Sequence, residues 1–444
     1  MPETDHRCSQ CGRPHRLRKH LYVVVDDWSA GFSVHKLDIQ DEIDKDEKAK
    51  LGTLRKPKIQ RLPPSPVRIA FSGIGAGARI AAMGRKIIAC TEGEHGLTVV
   101  YDTDTAGLAM VRYSPDALHY HWEQAMAAGD ALYAIVSKPT GTPSDGSGSA
   151  DSGLHCSQGE MFSFEEVTEY PEEAFCLDDV YDDNRVGKKC TWRTDPLEVP
   201  FYLCHGAIIR SYAMHPGGNR FYVSVTPAEH RGSNARYYGD DIPDLTEAEE
   251  NAAKAKAGGT FTYHTKTREW THLGTWMLPF AGQGYYDPEL DAWVGFDMPY
   301  HGKIGCCDIP SRPWGSPEPP IWKLCNKDIS LVKSSVLDNT NVLVRMGSGR
   351  FCLVQSMPRD GVDDYWGDGD KFELHVTTFR ARYGKKGELT ITDSRLVSSY
   401  VLSRSGQQRE QEAEIGEGGT GLATGSKEGP LRLATAALRV SYGL

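Results

Sequence analysis

The most regular feature of the chain is a pair of apolar segments joined by a short polar turn. The turns contain Gly, Asp, Asn and Pro, which tolerate the tight backbone of a β-hairpin. The flanking segments are rich in β-branched and aromatic residues, which favour strands. Each copy is therefore predicted to be a β-hairpin. The copies occupy residues 78–90, 122–136, 208–225, 281–296 and 341–355.

A second strand–turn–strand segment follows most of these hairpins. It is clear at residues 97–111 and 260–274, and looser at 161–170 and 374–392. Four strands in each repeat is the number found in a propeller blade. Two apolar segments near the N-terminus add a partial repeat. The chain is therefore predicted to be all-β, a kelch-like β-propeller of about six four-stranded blades.

The segment 431–444 is apolar again and follows a polar stretch. A propeller leaves no open sheet edge if a strand from one chain end completes the blade begun at the other. We therefore predict that residues 434–440 pair with the N-terminal blade, so that the N- and C-terminal strands share one blade. The alanine-rich sequence of this segment also suits a C-terminal helix, which is the alternative.

The remaining segments complete the predicted domain organisation. Residues 1–20 form a basic, flexible tail, and residues 21–402 form the propeller. Within the propeller, inserts are predicted at 139–159, a Ser/Gly-rich loop, at 178–189, a charged run, and at 241–258, a short solvated helix. Residues 403–430 are Gly/Glu/Gln-rich and predicted to be disordered, and residues 431–444 form the closing strand.

Composition and charge disfavour nucleic-acid-binding, membrane and secreted proteins. The 444 residues carry a net charge of -10, which disfavours broad binding to nucleic acid. No apolar stretch approaches the ~20 residues needed to cross a bilayer, and no secretory signal is visible, so no membrane association is expected. The 11 cysteines are an odd number and several lie in apolar runs. They are predicted to be reduced and mostly buried, in a cytoplasmic or nuclear protein.

Three segments carry a family resemblance: LYVVVDDWSAGFSVHKLDI, TFTYHTKTREWTHLGTWMLPFAGQGYYDPELDAWVGF, and FCLVQSM with LHVTTFRARY. Over residues 21–400 the chain resembles the grass-expanded, kelch-like plant proteins grouped under DUF1618. The resemblance implies a β-propeller fold and a grass source, and it assigns no reaction and no catalytic residue. Some kelch-like relatives follow an F-box and recruit substrates for ubiquitination. Only 20 residues precede the first predicted strand here, which argues against a ubiquitin-ligase adaptor.

The N-terminal tail contains one candidate metal site. Two thiolates and two imidazoles can surround zinc tetrahedrally, and basic residues are interleaved with them, as in small zinc-stabilised RNA-binding elements. The alternative, which we favour, is a basic tail with incidental cysteines, so no cofactor is predicted. The four candidate ligands are Cys8, Cys11, His15 and His20.

No catalytic signature such as G-x-S-x-G or H-E-x-x-H is present. Four tryptophans late in the repeats, namely Trp192, Trp270, Trp293 and Trp322, are predicted to pack in the core. If the innermost strands line a channel, seven polar residues are the best candidates to face it. They are His121, Glu123, Arg210, Tyr212, Gln283, Tyr285 and Arg345.

These observations favour a non-catalytic protein-interaction scaffold or adaptor of a plant cell, with protein partners whose identity the sequence does not specify. One alternative is an enzyme or small-molecule binder that uses the central channel. The other is an RNA-associated protein that binds through the basic Cys/His tail.

Overall fold

In a computed structural model of the chain, the described residues lie almost entirely in β-strands and the turns between them, which confirms the all-β fold class. Two compact units are present, one from residues 1–76 with 327–444 and the other from residues 77–326. The structure describes residues 17–26, 31–39, 59–69, 78–91, 97–111, 114–120, 122–137, 157–167, 189–193, 195–203, 208–226, 258–297, 302–310, 319–329, 341–358, 372–402 and 432–442.

In chain order the first strands are β1 (Leu17–Asp26), β2 (Phe32–Asp38), β3 (Ile59–Arg61), β4 (Val67–Ile69), β5 (Ala78–Met83), β6 (Lys86–Thr91), β7 (Thr98–Asp102), β8 (Gly107–Val111), β9 (Trp122–Ala128), β10 (Ala131–Val136), β11 (Ser157–Val167), β12 (Lys189–Trp192) and β13 (Leu197–Leu203). The others are β14 (Ile208–Met214), β15 (Arg220–Thr226), β16 (Gly259–His264), β17 (Glu269–Gly274), β18 (Phe280–Asp287), β19 (Ala292–Asp297), β20 (Lys303–Cys307), β21 (Trp322–Asp328), β22 (Asn341–Gly347), β23 (Arg350–Pro358), β24 (Phe372–Tyr383), β25 (Leu389–Leu402) and β26 (Arg432–Tyr442). One helical turn, α1 (Ala117–Tyr120), precedes β9.

The unit of residues 77–326 contains four meanders. Meander 1 is β5–β8, and meander 2 is β9–β12 with β13 also paired to β11. Meander 3, β14–β17, and meander 4, β18–β21, are joined into one eight-stranded sheet. The joint is a parallel pairing of β14 with β18, in which Tyr212 lies opposite Gln283. Each predicted hairpin of this unit is present as the first two strands of a meander.

The other unit contains meander 5 and a terminal sheet. Meander 5 is β22–β25, with β3 added in parallel to β25. The terminal sheet has the order β26-β1-β2-β4. In it β26 pairs antiparallel with β1, from Leu17 opposite Tyr442 to Asp26 opposite Arg432. The two ends of the chain therefore lie in one sheet, and the helical alternative for the C-terminal segment is not what forms.

Within the unit of residues 77–326, successive meanders pack face to face, as the side chains of β10 show. Side chains alternate across a strand. On β10, Leu132, Ala134 and Val136 enter a core shared with meander 1. Its other face contributes Tyr133 and neighbouring residues to a core shared with meander 3. All six residues of β10 are buried, which explains why this segment is apolar without alternation.

The same arrangement recurs in the rest of the chain. Meanders 3 and 4 share a core that includes Tyr222 and Trp293. The terminal sheet and meander 5 share another, which includes Leu21 and Val354. The second strand of each four-stranded group is largely buried, as in β6, β10, β15 and β19. Among the fourth strands, β8 and β21 are mostly exposed, whereas β12 carries the buried Trp192.

The tryptophan prediction is confirmed for Trp192 and Trp293, which are fully buried, and Trp270 packs partly buried against the core of meanders 2 and 3. It is wrong for Trp322, whose side chain is 43% exposed. Most residues of β21, the outermost strand of meander 4, are exposed, whereas Trp192, on the outermost strand of meander 2, packs in the core shared with meander 1.

Most of the predicted inserts, 139–159, 178–189 and 241–258, and the segment 403–430 lie outside the described residues, as do residues 1–16 of the predicted tail. Strand β1 begins at Leu17, within that predicted tail, because its pairing with β26 extends to Tyr442. Among the described residues, no helix has the length and apolar character required to cross a bilayer.

The parallel joint depends on the segment Gly282-Gln283-Gly284. Strand β18 leaves its register with β19 between Ala281 and Tyr285, and these residues pair with β14 instead. Gly282 has φ +69, which disfavours other residues, and a Cβ on Gly284 would lie 2.3 Å from the buried ring of Phe280.

We expect Gly284→Ala to lower the free energy of unfolding by about 1–3 kcal/mol, because the added methyl overpacks the Phe280 ring. Gly305→Ala is the control, since a Cβ there meets its nearest atom at 3.5 Å, and it should change stability by less than about 0.5 kcal/mol. Urea denaturation of both variants checks this. Equal stabilities would contradict the steric argument.

We expect the double variant Ala436→Pro/Ala437→Pro to destabilise the terminal sheet by at least about 1 kcal/mol. Alternate N–H groups of β26 point toward β1, so two adjacent prolines remove at least one ladder hydrogen bond. Lys385→Pro is the control. Residue 385 is the second residue of a β-turn in which the Gly387 N–H donates to the Gly384 carbonyl, and proline is favoured at that position. Hydrogen exchange in β1 should rise in the double variant and stay unchanged in the control.

Candidate functional site

The structure brings together three of the sequence-predicted channel residues, Tyr212, Gln283 and Tyr285. They lie on β14 and β18, the first strands of meanders 3 and 4. The parallel pairing sets Tyr212 opposite Gln283, and the Tyr212 hydroxyl donates a hydrogen bond to Gln283 Oε1 at 3.4 Å. We call these three residues the inner tyrosine cluster.

Burial determines the protonation of this cluster. It raises the pKa of Tyr212 to about 12. Burial, and then the neighbouring Tyr212, raise the pKa of Tyr285 still further above its ordinary value. Both phenols are therefore neutral at physiological pH. The cluster can donate and accept hydrogen bonds, but its members carry no charge and none is a base near neutral pH.

The other predicted channel residues are more dispersed. Glu123 on β9 and Arg210 on β14 are exposed, and Arg210 lies where the register of β14 with β15 shifts. Arg345 is half-buried on β22, in the unit that contains the chain termini. His121 lies outside the described residues.

Of the candidate zinc ligands, only His20 lies within the described residues. It is buried on β1, and its Nδ1 contacts the carboxylate of Asp38, its cross-strand neighbour on β2. Cys8, Cys11 and His15 precede the described part of the chain. Across the described residues, no group of three or more His, Cys, Asp or Glu side chains is arranged to hold a metal. A basic tail with incidental cysteines stays the favoured prediction, and zinc binding by the tail stays the alternative.

Sequence reasoning missed a cavity of about 210 Å³ where meanders 2 and 3 meet. Tyr133 and Tyr263 line the cavity, and their rings meet edge to face with centroids 5.5 Å apart. Charged side chains line it as well, including Glu165, Arg193, Asp195, Lys266 and Arg268. These residues come from three separate stretches of chain, so no local sequence signal marks them.

One ion pair dominates the charge of the cavity. Arg193 donates from Nε and Nη2 to the two carboxylate oxygens of Glu165, both at 3.0 Å, and Ser163 Oγ donates to the same carboxylate at 2.9 Å. The hydrogen bonds to Glu165 raise the pKa of Arg193, and burial raises that of Tyr133 to about 12. Ligand pockets usually exceed about 300 Å³. This cavity therefore suits a single side chain better than a whole metabolite.

The outer strand β8 exposes apolar side chains. Leu108 is 53% exposed and Met110 is 69% exposed. Both point to the face of their buried cross-strand partners, Tyr101 and Val99. Among the described strands none pairs with the outer edge of β8. We call this edge, residues 107–111, the β8 surface. Two further apolar residues are exposed where β21 begins, Ile321 just before the strand and Trp322 at its first position.

We expect Tyr212→Phe to lose less stability than the wild type between about pH 10 and about pH 12. The Tyr212 phenol ionises near pH 10 in the unfolded chain and near pH 12 in the folded protein. Keeping it neutral therefore stabilises the folded wild type below pH 10, and this stabilisation is lost as the pH rises toward 12. Urea denaturation across this range measures the difference. Equal pH slopes for the two proteins would contradict burial of this hydroxyl.

Comparison with solved structures returns distant similarities. The periplasmic gluconolactonase of Pseudomonas aeruginosa is 10% identical, with 86% of this chain and 83% of that chain covered and a TM-score of 0.36. The Dos1 propeller is 10% identical, with 89% and 81% covered and a TM-score of 0.32. At TM-scores this low, the likeness carries no argument about fold or function.

A protein of unknown function from Bacteroides thetaiotaomicron is likewise 10% identical, with a TM-score of 0.33. The match covers 82% of this chain but 62% of that chain, which is less than two thirds of its length. No curated protein matches the chain.

A family model does match, over residues 18–400, and its description is "Protein of unknown function (DUF1668)". The resemblance to DUF1618 is therefore wrong, and the kelch relationship and grass source that it implied lose their support. The quoted segments are strands and hairpin turns, a pattern that many sheet proteins share. Since the match spans most of the sequence, the chain belongs to the DUF1668 family of proteins of unknown function.

Proposed function

We propose that the five meanders and the terminal sheet are the six blades of a β-propeller. Three features support this: four antiparallel strands in each group, face-to-face packing of successive groups within each unit, and the sharing of one sheet by the two chain ends. Propellers present loops and strand edges from every blade to solvent.

On this fold, we propose, the protein is a non-catalytic protein-interaction scaffold. The observation that carries the proposal is the β8 surface. On β8 the backbone edge is paired by none of the described strands, and Leu108 and Met110 are exposed. Such a strand is an aggregation hazard unless a partner covers it. The partner that fits is an extended protein segment that adds a strand to β8, with apolar side chains facing Leu108 and Met110.

Two observations favour this scaffold over chemistry in a channel. The inner tyrosine cluster holds two neutral phenols and an amide, and so supplies no general base near neutral pH. The cavity beside Arg193 is smaller than usual metabolite sites. The RNA alternative depends on tail residues outside the described part of the chain, and the net charge of -10 opposes it.

The test is affinity capture with the full-length protein, followed by binding assays with each identified partner. We expect Leu108→Lys/Met110→Lys to weaken binding at least about tenfold, because two charges replace the exposed apolar contact. Surface changes of this kind alter stability by less than about 0.5 kcal/mol, which a thermal melt verifies.

Lys385→Glu, an exposed change in the turn after β24, is the matched control and should bind like the wild type. Partners that bind the double lysine variant as tightly as the wild type would refute docking at β8. Self-association of the purified chain through β8, seen by sedimentation and abolished by the same variant, would also refute a different protein as the occupant.

A further inference from the structure

A lysine, a cysteine and a glutamate meet where meander 1 packs on meander 2. Cys190 on β12 and Glu166 on β11 are direct cross-strand neighbours. Lys86, on β6 of the adjacent meander, reaches between them. Its Nζ donates hydrogen bonds to Glu166 Oε1 and to Cys190 Sγ, the latter at 3.0 Å. The sequence gives no hint of this contact, because Lys86 and Cys190 are 104 residues apart.

The environment of this lysine is unusual. Its side chain is 9% exposed, and lysine is almost never buried unless it is paired. Burial by itself lowers the pKa of Lys86, but the hydrogen bonds with Cys190 and Glu166 outweigh it and hold the pKa above its ordinary value. The amine is thus held against the sulfur with a carboxylate beside it.

Cys190 also differs from the other cysteines that the structure describes. Cys90, Cys306, Cys307, Cys325 and Cys352 are buried, whereas Cys190 is partly exposed. Burial raises the pKa of Cys90 and of Cys352 to about 12, which keeps both as unreactive thiols. A cysteine with solvent access and a lysine ammonium in contact is the kind that peroxides oxidise.

We propose that Cys190 and Lys86 are a modification site, at which a hydroperoxide drives formation of a covalent sulfur–nitrogen crosslink between them. Both atoms are already in contact, and Cys190 gives the oxidant access to the sulfur. The crosslink would tie β6 of meander 1 to β12 of meander 2 through their side chains.

The reaction balances in two steps. The Cys190 sulfur attacks the peroxide, so that an S–O bond forms, the O–O bond breaks, sulfur loses two electrons and the peroxide is reduced to water. Lys86 then gives a proton to Glu166, and its neutral amine attacks the sulfur. The N–S bond forms, the S–O bond breaks, and hydroxide leaves with a proton from nitrogen as water. Thiol, ammonium and peroxide become sulfenamide, two waters and a proton.

The test treats the purified full-length protein with hydrogen peroxide and maps its tryptic peptides by mass spectrometry. We expect a peptide pair joined through Lys86 and Cys190, lighter than the sum of its parts by two hydrogens and uncleaved after Lys86. Dithiothreitol should release the two peptides, since a thiol reduces the S–N bond. Cys90 and Cys352 should remain unmodified in the same digest.

Lys86→Arg separates the crosslink from simple oxidation of the cysteine. Arginine keeps a cation beside Glu166 but is not a nucleophile. We expect this variant to lose the crosslink and to accumulate sulfenic acid at Cys190 that dimedone traps. Cys190→Ser should lose both products, and thermal melts verify that the two variants fold.

Three results would overturn the proposal. They are oxidation of wild-type Cys190 to sulfenic or sulfinic acid without a bond to Lys86, a crosslink from Cys190 to a different residue, and resistance of Cys190 to peroxide.

Discussion

The structure depends on burial of both faces of the second strand in each four-stranded group. A strand that sends alternate side chains into two different cores must be apolar along its whole length. Strand β10 does this between meanders 1 and 3, and β15 sends Phe221 into one core and Tyr222 into the next. Each meander is thus stable only because its neighbours cover it, which ties the order of the sheets to the order of the chain.

The packing of one meander on the next also restricts where charged side chains can be buried. A charged group between two packed meanders must find a partner there. Lys86 is such a case, because it is buried where meander 1 packs on meander 2 and is paired there with Glu166 and Cys190. Arg193 and Glu165 pair within meander 2, and the Arg193 side chain stays half exposed beside the cavity. On the outer strand β8, by contrast, Leu108 and Met110 face solvent, and it is this exposure on which the proposed docking of a partner rests.

The local sequence predicts where the hairpins form, but it does not predict what packs against them. The turns at 84–85 and 129–130 hold glycines with positive φ, Gly84 and Gly129, so these reversals follow from the residues themselves. The prediction that Trp322 packs in the core was wrong, although the same prediction held for Trp192. Both lie on outermost strands, and Trp192 is buried because it packs in the core that meanders 1 and 2 share, which the sequence around a tryptophan does not reveal. The family resemblance failed for a related reason, since strand-and-turn patterns recur in unrelated sheets.

By itself the sequence determined that the chain is all-β, where its hairpins turn, and that its last strand has an apolar pattern able to join the first sheet, because these follow from backbone preference and side-chain period. Only the tertiary structure decided that Tyr212 and Gln283 meet, that Arg193 closes on Glu165, and that Lys86 lies 3.0 Å from Cys190. Those contacts join residues 28 to 104 positions apart. They form through the pairing of β11 with β12, the pairing of β14 with β18 and the packing of meander 1 on meander 2, none of which a local pattern encodes.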